Sequence, residues 1–138
     1  MSELLTDVDH VGIAVRDLAA AEEEYRRAFG VEPVHRERVE DQGVEEVLFK
    51  VGSSYIQLLA ATGPDTPVGK FLERRGEGIH HIAYKVDDVA DALHRARAAG
   101  LETIDEKPRE GGGGKTRIGF LHPRSTLGVL TELEEDVR

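Results

Sequence analysis

Five stretches of the chain alternate apolar and polar residues with a period of two, the mark of a strand that buries one face. In the first half, Val11, Ile13 and Val15 alternate with His10, Gly12 and Ala14. Val47, Phe49 and Val51 alternate with Glu46, Leu48 and Lys50, and Ile56, Leu58 and Ala60 with Tyr55, Gln57 and Leu59. In the second half, Ile82, Tyr84 and Val86 alternate with His81, Ala83 and Lys85, and Val129, Thr131 and Leu133 with Leu130, Glu132 and Glu134. Weaker strands are expected around Thr103 and Ile118. Between strands the apolar spacing lengthens to that of a helix. One helix runs from Leu18 to Phe29, with Asp17 as its N-cap, Ala21, Tyr25 and Phe29 on one stripe, and Gly30 as its stop. Another runs from Val89 to Ala99, capped by Asp88, with Val89, Leu93 and Ala96 on a stripe and Gly100 as its stop. A third lies between the halves. Thr66 caps it, Pro67 occupies its first turn, Phe71 and Leu72 face inward, and Gly76 ends it. Gly52-Ser53-Ser54 reads as a hairpin turn, and Gly111 to Gly114 as a flexible loop.

These elements repeat. Asp9-His10-Val11-Gly12-Ile13-Ala14-Val15-Arg16-Asp17 returns as His80-His81-Ile82-Ala83-Tyr84-Lys85-Val86-Asp87-Asp88. Each copy starts an apolar run with a histidine and ends it with an aspartate that caps a helix. Each half reads strand, helix, then three strands. The expected fold class is α+β: two tandem βαβββ modules, about residues 7–62 and 78–134, joined by a helix at about 66–76, forming a curved mixed sheet around a metal site with the helices outside. A repeat of roughly 70 residues is too long for a solenoid unit, so the expectation is one domain over 1–138.

Composition narrows the function. The chain has 138 residues, no cysteine and a net charge of −9. Without cysteine there is neither a disulfide framework nor a thiolate ligand. The acidic balance argues against nucleic acid and against membrane surfaces, both of which are anionic. The polar start, Met1 to Val8, lacks the blocks of a signal peptide, and the expected location is the cytoplasm. The charge is uneven, however. Lys107, Arg109, Lys115, Arg117 and Arg124 cluster with Glu110 as the one acid among them. The cluster reads equally as a solvated loop and as a local anion site.

Four polar side chains fall on the inner faces of matching strands. His10 and His81 open the first strand of each half, and Gln57 and Glu132 lie on the last, at nearly the same separation. Small neighbours, Gly12 and Ala14 beside His10 and Ala83 beside His81, leave room on that face. Two imidazoles, an amide oxygen and a carboxylate suit a borderline or hard divalent ion with open positions for water or substrate. The competing reading is a pair of structural histidines, and the repeat-equivalent placement favours the metal. His80 points away from His81. His35, His94 and His122 have no partner at a matching place. Glu46 lies on the inner side of its strand, where a carboxylate suits a general base. Its residue pattern alone reads as a surface glutamate.

The duplicated pattern resembles the vicinal oxygen chelate (glyoxalase) superfamily and, within it, the methylmalonyl-CoA epimerases. The phrases that carry the resemblance are Asp9 to Val15, Gln42-Gly43-Val44-Glu45-Glu46, Tyr55-Ile56-Gln57-Leu58-Leu59, Gly78 to Tyr84, Asp105-Glu106-Lys107-Pro108, Phe120 to Ser125, and Gly128 to Leu133. Thr131 and the run of glycines depart from it. The resemblance implies an isomerase that interconverts (2R)- and (2S)-methylmalonyl-CoA through a metal-stabilised enolate. It makes His10, Gln57, His81 and Glu132 the metal ligands and Glu46 and Glu132 the acid–base pair. It implies one divalent ion per protomer (Co²⁺ before Mn²⁺, Ni²⁺, Zn²⁺ or Mg²⁺), a CoA thioester substrate and a homodimer. With that substrate, Lys107, Arg109, Lys115, Arg117 and Arg124 are candidates for the CoA phosphates. The alternatives are a glyoxalase I-type lyase, a non-haem iron dioxygenase using His10, His81 and Glu132, and a metal-free small-molecule binding protein.

Overall fold

The computed structural model describes residues 3–137. The chain divides into two compact units, one spanning His10–His80 and the other combining the stretch through Asp9 with the chain from His81 onward. Strand β1 (Asp7–Ala14), helix α1 (Leu18–Phe29), strands β2 (Pro33–Val39), β3 (Val44–Val51) and β4 (Ser54–Ala61), and helix α2 (Pro67–Arg75) come first. They are followed by β5 (Gly78–Lys85), α3 (Val89–Ala98), β6 (Arg109–Gly111), β7 (Thr116–Leu121) and β8 (Leu130–Asp136). The fold class is α+β, and each half repeats strand, helix, three strands, as the sequence predicts.

The three helices start where their caps place them. Asp17 Oδ1 accepts from the Ala20 amide at 3.0 Å, Thr66 Oγ1 from the Gly69 amide at 3.0 Å, and Asp88 Oδ1 from the Asp91 amide at 3.1 Å. Each bond satisfies a donor that the first helical turn leaves unpaired. Phe29, expected on the buried stripe of α1, is instead 66% exposed and meets only the edge of Tyr25, with ring centroids 5.1 Å apart. It is the last residue of α1, next to the Gly30 stop.

In the first unit the strand order is β2-β3-β4-β1. β1 runs parallel to β4, while β2–β3 and β3–β4 are antiparallel. One face carries Val15, Val47, Phe49, Leu58 and Ala60, which pack with Leu18, Ala21 and Tyr25 of α1. On the other face, α2 covers one end by setting Val68 and Leu72 on Ala14, Val44 and Leu59. Ala14 is therefore a core residue.

In the second unit the strand order is β5-β8-β7-β6, the same neighbour relations read from the opposite end. β5 is parallel to β8, and β7 is antiparallel to both β8 and β6. Val89, Ala92, Leu93 and Ala96 of α3 pack on Val86, Leu121 and Leu133. Gly119 is what lets α3 approach: a β-carbon there would lie 3.0 Å from Leu93 Cδ1 and 3.2 Å from Val89 Cγ1. Two expectations need correcting. Thr103 makes only an isolated bridge to Leu121 rather than a strand. The first of the three strands after α3 is instead Arg109–Gly111, and the glycine run closes its hairpin through a 3-10 turn at Gly112–Gly114 rather than forming a loose loop.

Candidate active site

Register aligns the candidate ligands within each unit. In the first, Gly12 of β1 stands beside Gln57 of β4, with His10 beside Tyr55. In the second, Ala83 of β5 stands beside Glu132 of β8, with His81 beside Leu130. The histidine thus occupies the same step in both units. A residue with no side chain or only a methyl stands beside the second candidate ligand each time.

Within the first unit, β3 pairs Leu48 with Gln57 and Glu46 with Leu59, so Glu46 is the diagonal neighbour of Gln57 on one face. Gln57 Nε2 donates to Glu46 Oε1 at 2.9 Å. The amide oxygen, Gln57 Oε1, is buried and accepts no hydrogen bond among the described residues. A buried acceptor without a donor is costly unless something positive fills the place. This orphaned oxygen fits the requirement of a metal ligand. Burial pushes the Glu46 carboxyl above the ordinary glutamate range, outweighing the Gln57 bond that pulls it down; Glu37 raises it further. Within the second unit, His81 and Glu132 are both buried, with Nε2 and Oε1 3.5 Å apart. That spacing is longer than a good hydrogen bond and suits two donors around a common cation. The donor set therefore fits a divalent ion.

The other predicted residues separate from this chemistry. His80 packs its ring against Phe71, with centroids 5.0 Å apart, and burial lowers its pKa. Three of the five clustered cations meet carboxylates that the sequence window hid. Arg109 pairs with Asp105 at 3.0 Å, Arg124 with Glu102 at 3.0 Å, and Arg117 faces Glu135 at 3.8 Å. Lys107 and Lys115 have no carboxylate partner among the described residues. Sequence reasoning set His35 aside for want of a partner at a matching place and passed over Glu37. Glu37 is paired with Glu46 across β2 and β3, and His35 Nε2 lies 3.0 Å from Glu37 Oε1. The signal was present in His35-Arg36-Glu37-Arg38, where alternation separates the arginines from the other two.

A profile of the glyoxalase/bleomycin resistance protein/dioxygenase superfamily matches residues 9–120. The chain belongs to this superfamily. Among its members, an ethylmalonyl-CoA/methylmalonyl-CoA epimerase of Cereibacter sphaeroides is 38% identical over 93% of this chain and 96% of the relative. A solved methylmalonyl-CoA epimerase in complex with methylmalonyl-CoA and NH4+ is 45% identical, covers 96% of each chain and superposes with a TM-score of 0.88. The crystal structure of methylmalonyl-CoA epimerase from Mycobacterium tuberculosis is 39% identical, covering 100% of this chain and 93% of that one, with a TM-score of 0.90. Within the superfamily, the chain is thus similar to epimerases along nearly its whole length. No helix among the described residues is long and apolar enough to cross a membrane.

Proposed function

We propose that this chain is a methylmalonyl-CoA epimerase in which Glu46 and Glu132 exchange the C2 proton on opposite faces of the substrate, and in which His10, Gln57, His81 and Glu132 hold one divalent ion. The observation that carries the reading is the Glu46–Gln57 contact. A half-buried carboxylate is held by an amide whose own oxygen is left for a cation. Whole-length similarity to epimerases supplies the substrate class.

The C2 proton of methylmalonyl-CoA lies between a thioester carbonyl and a carboxylate, so its removal leaves a delocalised enolate. The ion, when bound, supplies positive charge that lowers the cost of enolate formation. The residues do the rest. Glu46 takes or returns a proton on one face, and its burial raises its basicity toward the working pH. Gln57 fixes the Glu46 carboxylate through its amide N–H. Glu132 serves the other face, while its contact with His81 restrains it. Inversion needs both carboxylates, because the proton must leave one face and arrive on the other.

The reading extends to the CoA end. Lys107 and Lys115, which have no carboxylate partner among the described residues, are the cations most available to its phosphates, and Arg109, Arg117 and Arg124 would have to leave their carboxylates to join them. A cytoplasmic homodimer with Co²⁺ completes the reading, on the strength of the family resemblance.

Measuring C2 inversion and metal content together tests the proposal. Glu46→Gln is expected to keep its metal and to lose epimerisation by more than the ~10²–10⁴ typical of general acid–base help. His81→Ala is expected to lose the metal, and His80→Ala to keep it. Near wild-type epimerisation by Glu46→Gln would remove Glu46 from the mechanism, and equal metal content in the two histidine variants would remove the ligand assignment.

A further inference from the structure

We propose that His35, Glu37 and Glu46 form a second divalent-cation site, of the zinc class, whose occupancy takes Glu46 out of proton transfer. The inhibitory half of this proposal rests on the role given to Glu46 above; the binding half does not. One imidazole nitrogen and two carboxylate oxygens from β2 and β3 have donor atoms within 4.8 Å of one another. All three side chains belong to one face of one hairpin. Glu37 stands directly opposite Glu46, and His35 stands opposite Leu48, one step along the same face. The ladder is irregular between Pro33 and His35, so the regular pairing that fixes these partners begins at the histidine.

Charge gives an independent reason for a cation here. Like charges directly opposed on neighbouring strands are destabilising, whereas an opposite charge there is stabilising. The arginines of β2 are committed to other carboxylates: Arg36 to Glu22, and Arg38 to Glu40 and Glu45. No lysine or arginine among the described residues pairs with Glu37 or Glu46. The second unit handles its own inner-face carboxylate differently. There Glu134 stands beside Lys85, which also meets Asp136 at 2.6 Å and Asp9 at 3.6 Å. At the first unit's pair of glutamates the basic group at hand is the imidazole of His35, 3.0 Å from Glu37. An imidazole with two carboxylates is a ligand set that zinc accepts, with a further position left to water. His35 and Glu37 are about half exposed, so the ion reaches them from solvent. Three ligands at an open site hold zinc less tightly than four in a buried one, which makes the expected effect inhibition by excess metal. No substrate bond is made or broken in this step; a cation exchanges its water for three side chains.

Zn²⁺ titrated into the full-length, metal-stripped protein tests both halves. Calorimetry is expected to show two equivalents in the wild type. His35→Ala and Glu37→Gln are expected to keep the first and lose the second, and His81→Ala to lose the first and keep the second. Epimerisation by the wild type should then fall as Zn²⁺ exceeds one equivalent. The fall should be at least tenfold weaker in His35→Ala and Glu37→Gln, each scaled to its own activity at one equivalent. A single equivalent in the wild type, or a second one that survives both variants, would overturn the site. A second equivalent that binds without inhibiting would overturn the inhibitory half, and the turnover of Glu46→Gln tells whether the base assignment falls with it. Melting curves of the variants separate loss of the site from loss of the fold.

Discussion

A glutamate buried on an otherwise apolar helix face is costly unless a cation meets it. Glu22 of α1 is only 6% exposed, and Arg36 of β2 grips both its oxygens, with Arg26 on the same carboxylate at 3.1 Å. The Arg36 bond holds the Glu22 carboxyl below the ordinary glutamate range. The sign follows: a depressed folded pKa gives stability that is present above the unfolded value of ~4.3 and is lost as pH falls through the folded one. Glu22→Gln is therefore expected to melt lower than wild type at neutral pH. The difference should shrink as pH drops below about 4, and a constant gap across that range would remove the pairing from the account. Residues of this kind were illegible in the sequence. Glu22 sits among other acids on α1, and only folding brings Arg36 across to it. Glu46 reads as a surface residue for the same reason, since Gln57 and Glu37 become its neighbours through strand pairing. His10 and His81 were legible because duplication prints them twice.

At the scale of elements, helices announced themselves through caps and glycine stops, whereas two edge strands did not. β2 carries charge on both faces, with His35 and Glu37 on one and Arg36 and Arg38 on the other, so no apolar alternation marks it. β6 is only three residues long and runs into glycines. Both edges are short or charged, which also discourages pairing with other chains. The turn into β3 is the most demanding joint. Gly43 has φ +69°, and a β-carbon there would fall 2.3 Å from Thr66 Cγ2, on the residue that caps α2. Gly30 ends α1 at the same φ of +69° with nothing within 4 Å of that position. Gly30→Ala should therefore cost only the left-handed strain of about 1–2 kcal/mol. Gly43→Ala adds overpacking of ~1–3 kcal/mol to the same strain. Chemical denaturation of the two variants should rank them in that order, and equal losses would show that Thr66 yields freely.

The whole molecule keeps the mark of duplication and also of divergence. Strand order, parallel pairing and the step of each histidine agree between the units. The inner-face carboxylates do not. Where the first unit has Glu46 opposite Leu59, the second has Ile118 opposite Glu134. The basic cluster was the part of the sequence reading that changed most, because its partners Glu102, Asp105 and Glu135 lie outside the stretch that looked unbalanced. The parallel pairing of β1 with β4 has a consequence in time. β3 and β4 meet through the two-residue turn Gly52-Ser53, a local contact expected to close quickly, whereas β1 pairs with β4 across an intervening helix and hairpins and is expected to join it late. His10 then reaches Gln57 late, and His81 reaches Glu132 late by the same route in its own unit. A ligand site assembled after the rate-limiting step stabilises the native state without helping the chain to reach it. If His10, Gln57, His81 and Glu132 hold Co²⁺ as proposed, saturating Co²⁺ is expected to lower the unfolding rate by the factor it adds to the folding equilibrium, leaving the refolding rate unchanged. Refolding that accelerates with metal would place the proposed ligands in the nucleus; on the proposed assignment the ion would instead be a latch that closes behind the folded chain.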